Sequence, residues 1–247
     1  MSFPILEYDE DRSSITMPDP FALDFSSRVP ARGVLCFFQD VIDELVSLNQ
    51  LTVIGYLRSE IGKHPVYQYA NNSESVTVFH PGIGAPLAAA FLEELISIGV
   101  TKYIVCGGCG VLDRKIEPGT PVILTAAIRD EGTSYHYMPA SAYITVKNSD
   151  IVAEFMETNG IPYVKGKTWT TDSFYRETVN NFKKHKEDGC ISVEMECAGL
   201  QAMCSFRGLN LYTFFTSGDL LDAPKWDTRH KPGEFTGTQH DTGHFDI

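Results

Sequence analysis

The chain has 247 residues, of which 43% are hydrophobic and 21% charged, with a formal net charge of −12. That composition belongs to a folded chain and excludes a disordered one; a single α/β domain with a large core is the ordinary outcome at this length, although length alone also permits two. The acidic balance argues against nucleic acid and anionic membrane surfaces as partners, no apolar run reaches membrane-spanning length, and the acidic N-terminus does not read as a signal peptide.

Residues 1–30 carry Pro4, Pro18, Pro20 and Pro30 without periodicity and read as an extended arm. Gly33–Phe38 is a short apolar run that predicts a buried strand, and Val41, Leu45 and Leu48 share a face of a helix over 40–48. Strands are predicted over 51–56, 66–69 and 75–79. A strong helix follows over 85–98, with Glu93 and Glu94 outward and Gly99 as its stop. Residues 102–106 predict a strand ending in a glycine loop, and 120–127 another. Residues 151–158 read as a helix, 162–168 and 209–215 as strands, and the polar residues 222–247 as a loose tail. Strands alternating with helices predict an α/β fold: a single domain over 31–222, with a mixed, mostly parallel twisted sheet covered on both faces. Ligands in such folds bind outside the strand carboxyl ends, which points to the loops 80–86, 107–112, 170–176 and 216–222.

The six cysteines lie in apolar stretches without framework spacing, which predicts reduced cytoplasmic thiols. Cys106-Gly-Gly-Cys109 is formally C-x-x-C, but no second ligand pair stands at zinc spacing, so a glycine loop that contains cysteine is the better reading, and no metal site is expected. His240 and His244 have helical spacing, yet the Thr-Gly between them fits a solvated tail.

The chemistry concentrates in Cys190-Ile-Ser-Val-Glu-Met-Glu-Cys-Ala-Gly-Leu200. Ile191 and Val193 read as the end of a buried strand and Ala198–Met203 as a closely packed helix. Buried carboxylates at such a junction are costly unless a partner compensates them, and a ligand offering hydroxyls would do so. On an extended segment Glu194 and Glu196 share a face opposite Met195, unless a turn intervenes.

This stretch resembles the Glu-Met-Glu motif of the purine nucleoside phosphorylase and uridine phosphorylase family. Further motifs fall in the family's order: His80-Pro-Gly-Ile-Gly-Ala-Pro, Tyr103-Ile-Val-Cys-Gly-Gly-Cys-Gly-Val-Leu112, Asp130-Glu-Gly-Thr-Ser, Thr171-Asp-Ser-Phe-Tyr175 and Ser217-Gly-Asp-Leu. The resemblance covers roughly residues 33–220 and implies a single nucleoside phosphorylase-like domain, assembled as a dimer or a trimer of dimers. It implies that Glu196 and Met195, with Glu194 beside them, hold the ribose. Phe174 would stack on the base near Arg176, and Asp219, with Asp222 in reserve, would protonate the leaving base. By pattern alone Phe174 is a core residue and Asp219 a helix cap. The resemblance makes His136 structural. Arg176 without a following Gln, and Lys225-Trp-Asp227 after Asp219, favour a purine.

The departures concern phosphate. Where the family has Gly-Asp-Pro-x-Arg this chain has Phe37-Phe-Gln-Asp-Val41; a family arginine is Val105 here, and a serine or threonine is Gly108. Arg58 matches the arginine lent by a neighbouring subunit, and Gly82 offers amides at a helix start, although by pattern alone a tight turn needing glycine is the better reading. A dianion needs cationic donors, so Arg28, Arg32, Lys63 or His64 would have to substitute. The expectation is a cytoplasmic, homo-oligomeric phosphorylase. It would act on a small-molecule nucleoside with inorganic phosphate as co-substrate and no other cofactor. A nucleosidase using water, or a non-catalytic nucleoside-binding protein, are the alternatives.

Overall fold

Strand β6, Lys102–Val111, is the hub of the sheet in the computed structural model, which describes residues 3–20, 24–25, 28–70, 74–223 and 225–229. Before it come β1 (Asp24–Phe25), β2 (Arg32–Cys36), α1 (Gln39–Ser47), β3 (Leu51–Ser59), β4 (Gly62–Ala70), β5 (Ser75–Phe79) and α2 (Ala85–Ser97). After it come β7 (Pro121–Asp130), α3 (Ser134–Tyr137), β8 (Tyr143–Thr145), α4 (Ser149–Thr158), β9 (Val164–Thr171), α5 (Val179–Glu187), β10 (Cys190–Glu194), α6 (Cys197–Arg207) and β11 (Leu211–Leu220).

The eleven strands form one mixed sheet, ordered β1-β3-β4-β5-β2-β6-β10-β9-β7-β11, with β8 on β7. Parallel pairs run β5-β2-β6-β11 and β7-β9-β10. Because β11 also pairs with β7, strands β6, β10, β9, β7 and β11 close into a ring. The α/β architecture is the one expected, with helices packed on the sheet.

The glycines of β6 explain one correction. The chain does not leave the sheet at Gly107; it stays paired to β11 through Cys109. A Cβ on Gly107 would lie 3.1 Å from Phe37 and 3.2 Å from Phe215, and one on Gly110 would lie 2.9 Å from Leu221 and 3.0 Å from Val193. These glycines permit close approach inside a strand, where composition suggested a loop. β11 likewise runs on to Leu220, past the expected end at Phe215.

Three further corrections bear on the site. α5 was not anticipated, because its sequence is lysine- and asparagine-rich; it starts at the Thr178 hydroxyl, which accepts from the Asn181 amide, and ends in Lys184–Lys186, cations that suit a helix C-terminus. The arm is not wholly unpaired, since Asp24 and Phe25 pair with Tyr56 and Gly55 of β3. The tail does not leave the domain at 223: Asp227 bridges back to Leu220, so residues 225–229 lie against β11. His240 and His244 fall outside the described residues.

α2 and α6 form the layer beneath the site. α2 buries Ala85, Ala88, Phe91, Leu92 and Leu95, and α6 buries every residue from Cys197 to Cys204. A Cβ on Gly199 would come within 2.7 Å of the Ala85 Cβ, so glycine sets how closely the two helix starts approach. Glu93 faces α6 and not solvent, accepting from the Arg207 Nε at 2.9 and 3.0 Å.

Candidate active site

The junction between β10 and α6 is a turn, so strand alternation stops at Glu194. Its carboxylate bends into the first turn of α6: Oε2 accepts from the Glu196 and Cys197 amides at 2.8 and 2.6 Å, and Oε1 accepts from the Thr170 hydroxyl at 2.5 Å. The same hydroxyl oxygen accepts from the Ala198 amide at 3.2 Å. Helix starts leave amides without intrahelical partners, and a carboxylate there satisfies them and complements the dipole. Glu194 is thus committed to capping α6, which corrects its expected place beside the ribose.

Glu196 turns the other way. Its Oε1 accepts from the Gly84 amide at 2.7 Å, while the Met195 carbonyl accepts from the Ala85 amide at 3.0 Å. The start of α2 is therefore docked onto the Glu-Met-Glu turn. Gly84 has φ +87° and ψ 145°, a backbone conformation that suits glycine alone. Burial, followed by the charge of Glu194, pushes the Glu196 carboxyl up to about 8; burial pushes Glu194 up to about 7 against its hydrogen bonds.

Above this floor opens a cleft of about 1000 Å³. The buried Glu194 and Glu196 line it together with Met195, Gly108 and Ile83, and so do the more exposed Phe174, Glu177 and Asp219. Phe174 is 46% exposed and stacks against Tyr175 at 4.0 Å between ring centres, so it is a rim aromatic and not a core residue. Asp219 lies near the end of β11 and caps no helix; its Oδ2 accepts from the Trp226 indole N–H at 2.6 Å. Asp222, the reserve, is bound by Lys186 and Arg114, which hold its carboxyl below the usual range. A carboxyl so paired stays ionised and is unsuited as an acid.

The structure does not bring Arg58, Gly82 or Arg176 to the cleft. Arg58 lies in the β3–β4 hairpin opposite Lys63. The Gly82 amide donates to His80 Nδ1 at 3.1 Å within its own turn, and its φ is +78°. Arg176 ends an exposed turn, and its neighbour Glu177 lines the cleft instead. The substitutes for phosphate are also elsewhere: Arg32 pairs with Glu74, Lys63 lies over Tyr56, and His64 hydrogen-bonds Ser59. Arg28 does not line the cleft, and His136 is exposed on α3. Burial lowers the proton affinity of His80, and its Nδ1 already accepts, so it is neutral.

Sequence reasoning missed Glu177, Arg114 and Lys183, which line the cleft, and Thr170, which donates to Glu194. Tyr175-Arg-Glu-Thr contained the signal for Glu177, a carboxyl directly after the rim aromatics. Cys106 and Cys109 are both buried in β6 as free thiols. Among the described residues no cluster of His, Cys, Asp or Glu has a geometry that could hold a metal, and no helix is long and apolar enough to cross a membrane.

The family model described as Phosphorylase superfamily matches residues 31–239. The chain is 31% identical over 155 residues to the guanosine phosphorylase of Halorubrum lacusprofundi, covering 60% of this chain and 64% of that one. It is also 31% identical over 153 residues to a DeoD-type purine nucleoside phosphorylase of Alkaliphilus metalliredigens, covering 59% and 64%. The matched part thus spans less than two thirds of either relative. Among solved structures, the uridine phosphorylase of Vibrio fischeri superposes with a TM-score of 0.68 at 24% identity, over 83% of this chain and 85% of that one.

Proposed function

The chain belongs to the phosphorylase superfamily, and on that premise we propose that it cleaves the N-glycosidic bond of a purine nucleoside to free base and pentose 1-phosphate. The observation that carries this reading is the Glu196–Gly84 contact at the floor of a cleft whose rim holds Phe174 and Asp219. Glu196 accepts the ribose hydroxyls and Met195 packs on the sugar. Phe174 stacks on the base. Asp219 delivers a proton to the base as the glycosidic bond breaks, and the carboxylates stabilise the oxocarbenium-like sugar that develops. Phosphate oxygen then bonds to the anomeric carbon. Inorganic phosphate is the co-substrate and no other cofactor is required. The reading includes a cytoplasmic homo-oligomer, a dimer or a trimer of dimers, in which Arg58 serves a neighbouring site; sedimentation velocity tests the assembly.

One observation favours a second reading. At Gly108, where the resemblance puts phosphate, an added Cβ would meet only Phe38 within 4 Å, and none of Arg58, Arg32, Lys63 and His64 lines the cleft. A dianion gains little from such a wall, whereas water loses nothing there. Hydrolysis to free pentose is therefore the alternative.

Incubating the protein with purine and pyrimidine nucleosides, with and without phosphate, tests both. Base release that needs phosphate and yields pentose 1-phosphate supports the first reading. Free pentose regardless of phosphate selects hydrolysis. Tight binding without release overturns both in favour of a binding protein.

A further inference from the structure

We propose that Trp226 is a positioning residue for this reaction: its indole N–H holds Oδ2 of Asp219 and so leaves Oδ1 as the oxygen that carries the proton to the leaving base. The proposal rests on the reading of Asp219 given above and adds the group that orients the acid.

The Trp226 Nε1 lies 2.6 Å from Asp219 Oδ2, and both residues line the cleft together with Gly110. The terminal torsion of an Asp side chain is soft, so its two oxygens exchange places unless something holds one of them. An indole N–H can only donate. It meets a bare oxygen well and a protonated one poorly, because the two hydrogens crowd. The contact therefore serves both states of Asp219. Ionised, the carboxylate accepts at Oδ2; neutral, the group carries its hydrogen on Oδ1 and still accepts at Oδ2. Oδ1 lies against β6, 3.3 Å from where a Cβ on Gly110 would stand, so glycine leaves that oxygen its room.

Trp226 is 65% exposed, so burial of its ring is not what keeps it there. The backbone does. The Leu220 amide donates to the Asp227 carbonyl at 2.8 Å and the Asp227 amide returns a bond to the Leu220 carbonyl at 3.2 Å. Asp219 stands one residue before one side of this bridge, and Trp226 one residue before the other. Arg229 Nη1 donates to the Ile116 carbonyl at 2.7 Å, and Asp222 accepts from Lys186 at 2.8 Å through its carboxylate and from Arg114 at 2.9 Å through its carbonyl. The backbone next to the acid and next to the indole is thus tied to α5 and to the segment after β6.

As the glycosidic bond breaks, its electron pair leaves with the base, the Oδ1–H bond of Asp219 breaks, and the proton goes to a ring nitrogen. Asp219 is left as a carboxylate. The indole keeps its own hydrogen throughout, and its bond to Oδ2 becomes charge-assisted as the proton departs. The contact is stronger after proton transfer than before it, which is the condition for accelerating the step. Asp219 takes a new proton from solution for the next turnover.

Trp226→Phe keeps a ring and removes the N–H, and base release in phosphate buffer is the readout. With inosine, kcat should fall about tenfold, the scale of one hydrogen bond to a charged group, while KM stays within about twofold. 7-Methylinosine already carries a methyl group and a positive charge on the ring nitrogen, so its base leaves without a proton from the protein. On that nucleoside Trp226→Phe should lose less than about twofold in kcat, and Asp219→Asn should show the same selectivity more strongly. If Asp219→Asn is selective while Trp226→Phe loses rate on both nucleosides alike, or on neither, the positioning role is overturned and the acid stands. An Asp219→Asn variant as active as wild type on inosine, or a wild type that releases no base, overturns the acid and the positioning role together.

Discussion

The Gly84 amide donates to Glu196 Oε1 at 2.7 Å, joining the start of α2 to a carboxylate 112 residues away. This contact fixes where the carboxylate proposed to hold the ribose sits before any ligand arrives. Gly84 can take its φ of +87° without a Cβ penalty, and the nearest atom to an added Cβ would be Pro86 Cδ at 3.7 Å. The cost of Gly84→Ala is therefore conformational and not steric. It should destabilise the protein by about 1–3 kcal/mol, and raise the KM for nucleoside. Thermal melting checks the first effect and initial rates the second; a wild-type melting temperature would contradict the account.

The buried carboxylates give the ligand-free protein a defined pH response. Glu194 and Glu196 are both raised from the ordinary value of 4.5, to about 7 and about 8. The folded state then binds more protons than the unfolded state between 4.5 and those values, so stability falls as pH rises across that window. Melting temperatures measured from pH 5 to pH 9 should decline. Glu196→Gln, which cannot ionise, should flatten the upper part of the decline while losing nucleoside binding. A variant that follows the wild-type curve would contradict the assignment.

Glu194 is a scaffold for the site. Glu194→Ala removes a carboxylate that accepts from the Glu196 and Cys197 amides and the Thr170 hydroxyl. Losing buried hydrogen bonds to a charged group costs about 1.5–3 kcal/mol each at most, and they are not additive, so a loss of about 3 kcal/mol is expected. Denaturant unfolding measures it. A variant of unchanged stability that has lost only sugar affinity would return Glu194 to the ribose.

Phe174 is 46% exposed, so Phe174→Ala leaves no large cavity and should keep the fold. Removing a stacking face should weaken nucleoside affinity by about tenfold or more, since stacking on a base is worth about 1–3 kcal/mol. Direct calorimetric binding checks this, and an unchanged affinity would remove Phe174 from the base site.

The elements legible in the sequence were those whose burial forces a periodic pattern. α2 is small and apolar on the face that meets α6, and its stop at Gly99 follows from φ +102° there. The Glu-Met-Glu turn, Phe174 and Asp219 were found as motifs, and the structure brings them to one cleft. What was not legible depends on chain segments meeting in space. α5 packs through Phe182 and His185 and is otherwise polar, so its period is hidden. The glycines of β6 read as a loop because Phe37, Phe215, Val193 and Leu221, which crowd them, come from four other segments. Glu177 and Asp219 are 42 positions apart in sequence, and only the fold brings both to the lining of one cleft.

The most direct measurement follows phosphorus-31 resonances while the protein acts on inosine or guanosine in phosphate buffer, with free base assayed in parallel. The account predicts a pentose 1-phosphate resonance growing in step with the base. Free base with no new phosphate ester would show that water is the nucleophile and contradict phosphorolysis, and no base at all would contradict catalysis at this cleft.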